Sequence, residues 1–238
     1  GCGRYVLQIP NDSDEQQYIG RLDYQMTANK RFFGRVFYTK YLHAPGFDQS
    51  NPNLLMLSGA GLAIDARMMT MASGFDWVVS PTLVATTRVT FQSTSTERIQ
   101  GEGAPTWTTL GVNTFQYTTG GGQDFLAGGN AGWGASGFTG RFYVLTPSIS
   151  QDFDWNTGSH SLTFGGMWTR PHTDGDGTFQ SNGNFGFTGL FTSGTNNANG
   201  GLNLADFVLG LPATFRHGGR QINNQSIHAL GLHAGDVW

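Results

Sequence analysis

Apolar and polar residues alternate with a period of two along several stretches of the chain. In 18–26, Tyr18, Gly20, Leu22, Tyr24 and Met26 fall on one side, and Ile19, Arg21, Asp23 and Gln25 on the other. After Thr27-Ala28-Asn29-Lys30 the alternation resumes, with Phe32, Gly34, Val36 and Tyr38 against Arg31, Phe33, Arg35, Phe37 and Thr39. Successive side chains of a strand point to opposite faces, so this pattern on both sides of a tight turn predicts a β-hairpin. The mixed face carries Arg21, Asp23 and Arg35, charges that a dry core does not accept unpaired.

Two further hairpins follow from the same pattern. Arg67 to Trp77 and Thr82 to Ser95 flank a turn at Val79-Ser80-Pro81, where a proline's missing donor costs nothing. In the second of these strands Leu83, Ala85, Thr87, Val89 and Phe91 alternate with Val84, Thr86, Arg88, Thr90 and Gln92. Then Ile149, Gln151, Phe153 and Trp155 alternate with Ser150, Asp152 and Asp154, and Asn156-Thr157-Gly158 turns the chain. Leu162, Phe164, Gly166 and Trp168 return against Ser161, Thr163, Gly165 and Met167. The connections, from about Leu42 to Ala66 and from about Glu97 to Gly140, are long for a compact soluble domain. Short turns at one end and long loops at the other are the asymmetry of outer-membrane barrels. In one antiparallel sheet, the turns at Ala28-Asn29, Ser80-Pro81 and Thr157-Gly158 should share a rim. One segment departs from the pattern. Leu204, Phe207, Val208 and Leu211 share a helical face, which predicts a short helix from about Leu204 to Leu209, capped by Asn203 and stopped by Gly210 and Pro212.

Composition sharpens this picture. Charged residues are 12% of the 238, about half the usual ~25%. Glycine is frequent at 36 residues and phenylalanine at 18, while mean hydropathy is negative at -0.27. Such a chain suits strands with one apolar and one polar face. No apolar run approaches the ~20 residues of a membrane helix. The net charge of -3, without a basic stripe, points away from nucleic acid. Gly1-Cys2-Gly3 opens no signal peptide, so the chain is expected to be processed or a fragment. Cys2 has no partner for an intrachain disulfide; it is an incidental thiol or, alternatively, a lipid-bearing one.

The string GRLDYQMTANKRFFGRVFY resembles the strand–turn–strand of TonB-dependent outer-membrane receptor barrels, in the subgroup with a carboxypeptidase-regulatory-like extension before the plug. SPTLVATTRVTF, FDWNTGSHSLTFGGMWTR and NLADFVLGLP resemble the same family, and the last two are its most specific matches. The closing HAGDVW departs from the family's usual pattern at His233, Ala234 and Val237. The resemblance runs from about Gln16 to the end, loops excepted. It implies an outer-membrane location and transport of a scarce solute of the siderophore, cobalamin or oligosaccharide class. The partners it implies are membrane lipid, a plug, the remaining barrel strands of the same protein, and TonB as the energy source. Neither plug nor energy-coupling box is recognisable. The expected fold is therefore all-β: residues 1–238 as a partial antiparallel transmembrane barrel wall of eight to ten strands, an open curved sheet with long extracellular loops and one short helix.

Alternation assigns Leu22, Tyr24, Val36, Val89 and Phe91 to lipid, and Arg21, Asp23, Arg35 and Arg88 to the lumen. Tyr18 and Tyr24 lie too close along one strand, ~20 Å, to mark both membrane interfaces. Trp107, Phe115, Tyr117, Phe125 and Trp133 crowd the second long connection. Trp107, Tyr117 and Trp133 are candidate ligand contacts; the alternative is that these rings pack on one another. GWGASG, Gly132 to Gly137, matches G-x-G-x-x-G but is followed by a β-like segment, so it reads as a loop. HTDGDGT lacks the glutamate that a calcium loop beginning at Asp174 wants, so Asp174 and Asp176 read as a solvated acidic loop. His228 and His233, five apart, fall on opposite strand faces and cannot chelate one metal. No G-x-S-x-G elbow and no catalytic spacing occurs, so neither enzyme activity nor a cofactor is expected. Trp238 resembles a barrel's terminal assembly aromatic, but Asp236 breaks the required alternation. The competing reading is a soluble β-sandwich that binds carbohydrate, because sandwich and barrel share this period.

Overall fold

The structure is a computed structural model that describes residues 12–45, 62–100, 106–115, 124–126, 132–134, 138–181, 183–194 and 200–238. The long strands are β1 (Ser13–Thr27), β2 (Lys30–His43), β3 (Leu62–Ser80) and β4 (Leu83–Gln100). Two short strands, β5 (Asp124–Leu126) and β6 (Gly132–Gly134), precede β7 (Phe138–Thr157), β8 (His160–Thr169) and β9 (His172–Phe179). Then come β10 (Asn184–Gly186), helix α1 (Asn203–Val208), β11 (Thr214–Arg216), β12 (Arg220–Ser226) and β13 (Ala229–Val237).

The main sheet runs β1-β2-β3-β4-β7-β8-β13, and every pairing in it is antiparallel. Among the described residues it is an open sheet of nine strands, since β9 pairs with β7 and with β12, within the eight to ten expected from length. The three tight turns share one rim. Lys30 pairs with Trp77 and Leu83 with Trp155, so the turns at 28–29, 81–82 and 158–159 stand side by side. The second and third turns lie one residue later than the sequence pattern predicts, because β3 continues through Ser80 and β7 through Thr157. The strands also run longer at the other end: β3 starts at Leu62, β4 reaches Gln100 and β7 starts at Phe138.

Two prolines crease the wall. Pro147 lies inside β7, and Pro171 separates β8 from β9. Neither has an N–H to donate, and a strand interior accepts proline only where the ladder is interrupted. Here two such sites face each other. The Arg170 N–H donates to the Pro147 carbonyl at 3.0 Å, and the Ile227 N–H to the Pro171 carbonyl at 2.9 Å. Below the crease β7 pairs with β8, and above it with β9, which in turn pairs with β12. The HTDGDGT segment is therefore a strand paired on both sides, not the solvated loop its composition suggests.

Parts of the connection between β4 and β7 and of that between β9 and β12 meet at the opposite rim in a four-stranded sheet, β11-β10-β5-β6. Gly132–Gly134, read from sequence as loop, is one of its strands; residues 135–137 lie outside the described residues. Helix α1 begins one residue before the predicted span. Its N-cap is Leu202, with no side-chain cap bond, so Asn203 is the first helical residue and not the cap. Gly210, at φ 68, stops the helix as expected.

Candidate functional site

Register sorts the wall into two faces. Leu22, Gly34, Ser73, Val89, Ile149, Trp168 and Leu230 form one cross-sheet row. Gly20, Val36, Met71, Phe91 and Pro147 form the next. Every residue of both rows points to the same side. That side is apolar and uncovered: Leu22 is 65% exposed and Leu232 79%. A soluble protein rarely leaves so broad an apolar surface in contact with water. Its few polar side chains satisfy one another, as where the Thr87 hydroxyl donates to Gln151 Oε1 at 2.6 Å.

The opposite face carries Arg21, Asp23, Arg35 and Arg88, together as alternation predicts. Arg21 pairs across the ladder with Arg35, while Asp23, Phe33, Gly74 and Arg88 form one row. The Arg21 guanidinium donates two bonds to Asp23, from Nε at 2.6 Å and Nη2 at 2.9 Å. Arg31 reaches the same carboxylate at 3.5 Å, and Arg88 Nη2 lies 2.7 Å from Asp76 Oδ1. Phe33 lies between Arg21 and Arg88, each guanidinium 5.1 Å from its ring centroid. Gly74 makes room for this: a Cβ there would run into the Phe33 ring. Arg35 has no ion pair among the described residues, although like charges directly opposite each other are unfavourable.

Sequence reading missed Arg31, Phe33 and Asp76 as members of this cluster. The signal was present, since all three share the alternation phase of Arg21, Asp23, Arg35 and Arg88. Cross-strand register alone tells which of them meet. Further along the face, His233 Nε2 lies 3.4 Å from Asp152, and Thr163 donates to Asp154 at 2.9 Å. Ile19, Phe37 and Met68 interrupt the polar character toward the long-loop side. His228 sits against Trp168, at 5.9 Å between ring centroids, so the two histidines do have different neighbours. No group of three or more His, Cys, Asp and Glu among the described residues is placed to hold a metal ion.

Of the loop aromatics, Trp107 is only 1% exposed and packs edge-on to Phe185 at 5.1 Å. It is a core residue of the rim structure. The reason is geometric: the connection that bears it folds back on the strands of the neighbouring connection. Trp133 lies on β6 opposite Phe125. Tyr117 lies outside the described residues.

Beyond the apolar rows the same face becomes charged. Asp65, Glu97, Arg141 and Asp176 lie directly opposite one another across β3, β4, β7 and β9. Arg67 pairs with Asp65 at 2.9 Å, Arg141 with Glu97 at 3.0 Å, and Arg220 with Asp176 at 2.6 Å. The hydrogen bonds from Arg220 hold the Asp176 carboxyl below the usual carboxylate range. Asp65 stands twelve residues up β3 from Trp77. That is ~40 Å along a strand, or ~30 Å in height at ~40° tilt, more than the ~25 Å of an apolar band.

A sheet with a water-shunning outer belt, a charged opposite face and one rim of short turns has the geometry of a membrane wall. A family model described as an outer membrane beta barrel domain matches residues 2–238. The chain belongs to this family. It is thus an outer-membrane protein, and the soluble β-sandwich reading is overturned. No second sheet covers the apolar face among the described residues. No curated protein and no solved structure matches the chain.

Proposed function

We propose that this outer membrane barrel domain is part of the wall of a TonB-dependent receptor, non-catalytic, that passes a scarce solute inward along its polar face. The observation that carries this reading is the wet, charged state of that face. The Arg21 and Asp23 side chains remain 49% and 44% exposed, and nothing in the described chain folds over them. Small barrels fill their interior with their own side chains, whereas wide ones keep an open or separately plugged lumen. Lipid then faces Leu22, Tyr24, Val36, Val89 and Phe91, and the lumen faces Arg21, Asp23, Arg35 and Arg88. The short turns are periplasmic and the long connections extracellular.

The edges support a larger assembly. β1 and the β12–β13 edge each have a neighbour on one side only among the described residues. Unpaired N–H and C=O groups in hydrocarbon cost several kcal/mol each, so such edges require partner strands. In this reading those come from the rest of the same barrel, with a plug inside it. The solute is a siderophore, cobalamin or oligosaccharide.

Uptake by cells making the intact protein tests the proposal. A labelled ferric chelate, cobalamin and a maltooligosaccharide are offered at limiting concentration, with and without a protonophore. The expected result is surface binding that survives the protonophore and accumulation that does not. Accumulation indifferent to the proton gradient, or no protein-dependent binding of any of the three, defeats the proposal.

A further inference from the structure

The polar face is divided by height. Near the short turns it gathers charge, with Arg21, Asp23, Arg35 and Arg88. Beyond the break at Ile19 and Phe37 it turns to neutral hydrogen-bonding groups. Gln17, Thr39, Thr94, Thr173 and Gln225 lie in one cross-sheet row, and Tyr41, Thr96 and Asn223 in the next. In these two rows and the one that follows them, only Glu15 and Arg98 are charged. The same strands do not lack charge at this height. They carry Asp65, Glu97, Arg141 and Asp176 on the opposite face, so charge is turned away from this side.

We propose that the long-loop half of the polar face is the solute's entry site and that it takes a neutral oligosaccharide. The inference rests on the receptor reading above and selects one of its three solutes. Its first support is the match of hydrogen-bonding groups. A sugar hydroxyl both donates and accepts, as do a threonine hydroxyl and a side-chain amide, whereas a carboxylate only accepts and a guanidinium only donates. The second support is the rings set among these groups. A sugar ring has an apolar C–H face that packs on an aromatic ring. Tyr41 and His43 supply two rings at alternate positions of β2, 4° from parallel with centroids 6.4 Å apart. The third support is the state of the two charges. Glu15 accepts from Gln17 Nε2 at 2.7 Å and from the Thr39 hydroxyl at 3.4 Å, and the Arg98 guanidinium lies 5.4 Å from the Phe142 ring centroid. A ferric tris-catecholate is strongly anionic and cobalamin carries a phosphate, and both call for charge-assisted donors. Arg98 is the one arginine or lysine in these rows.

The test measures binding to the purified intact protein in detergent by isothermal titration calorimetry, where no proton gradient exists. Maltoheptaose, cellohexaose and xylohexaose are compared with a ferric tris-catecholate and cyanocobalamin. T94V/T96V removes two hydroxyls from the polar face, S93A/S95A removes two from the other face of the same strand, and T94S/T96S keeps both hydroxyls in place. The expected result is that at least one oligosaccharide binds and neither of the other probes does. T94V/T96V should weaken that binding at least about tenfold, and the other two variants should leave it unchanged. Binding of none of the oligosaccharides overturns the inference. Equal or tighter binding of the catecholate or cyanocobalamin also overturns it, and leaves the receptor reading standing. Oligosaccharide binding at wild-type strength in T94V/T96V overturns the site, as does a loss shared by all three variants. A loss confined to S93A/S95A shows that the faces are reversed and overturns the inference with them. Oligosaccharide bound as expected, but accumulated by cells without regard to the proton gradient, overturns the receptor reading alone.

Discussion

The wall and the rim structure of this chain bury their apolar residues by opposite rules. In the wall, Leu22, Val89, Ile149 and Leu230 stand on an uncovered face, and of the large strand residues hardly any is enclosed. At the long-loop rim, Trp107 and Phe187 are buried, Phe187 meets Phe207 edge-on at 5.2 Å, and Asp206 is fully enclosed. The wall has a solvent that accepts apolar side chains and the rim does not. The same contrast governs polar groups. Charges on the wall's polar face, Arg35 apart, stay partly exposed in ion pairs, whereas Asp206, enclosed at the rim, must be satisfied from within. Its carboxylate accepts the Phe191 N–H at 3.3 Å and the Thr192 N–H at 3.0 Å.

The largest effect that separates the two regions is expected from emptying the rim core. Trp107→Ala should cost the rim ~3–5 kcal/mol, the range for deleting a buried large aromatic. Hydrogen exchange should show β10 and β11 losing protection while β3, β4 and β7 keep theirs. Loss of protection in the wall as well would mean that rim and wall are one cooperative unit.

Next comes a paired substitution across one strand. Val89→Arg places a cation on the apolar face of β4 and should cost ~2–4 kcal/mol near the bilayer midplane. Thr90→Arg, its neighbour on the polar face, should be mild. Equilibrium unfolding in lipid vesicles measures both, and equal costs would erase the distinction between the faces.

A smaller loss is expected from Asp206→Ala, which leaves two enclosed N–H groups without an acceptor, at ~1–3 kcal/mol. The signature is faster exchange at Phe191 and Thr192 with no change in the wall. The smallest effect is expected from Arg35→Gln. Arg35 has no ion pair among the described residues and faces Arg21, so thermal stability should hold or rise slightly. A clear drop in melting temperature would reveal a partner for Arg35 elsewhere in the barrel.

The helix shows how far pattern reading carries. Periodicity finds its place to within a residue, yet misjudges its packing. Leu204 and Val208 are exposed, and Asp206 holds the enclosed side together with the ring of Phe207. A carboxylate that collects distant backbone donors outweighs an apolar stripe, and nothing in a local window shows those donors. The crease has the same origin. Pro147 and Pro171 are visible in the chain, but that their carbonyls accept from Arg170 and Ile227 depends on pairings between strands distant in sequence.

Alternation was enough to assign the two faces, because a strand's period of two leaves a residue no choice of side once its neighbour is placed. It put Arg21, Asp23, Arg35 and Arg88 opposite Leu22, Tyr24, Val36, Val89 and Phe91, and the short turns on one rim, from local information alone. Contacts between strands are another matter. Which arginines flank Phe33, and whether Asp65, Glu97, Arg141 and Asp176 line up, depends on the offset between strands distant in sequence, set by hydrogen bonding along whole ladders. The burial of Trp107 likewise required two connections from different parts of the chain to meet in one small sheet. Periodicity is local and register is not, and that difference divides what could be read along this chain from what had to be seen folded.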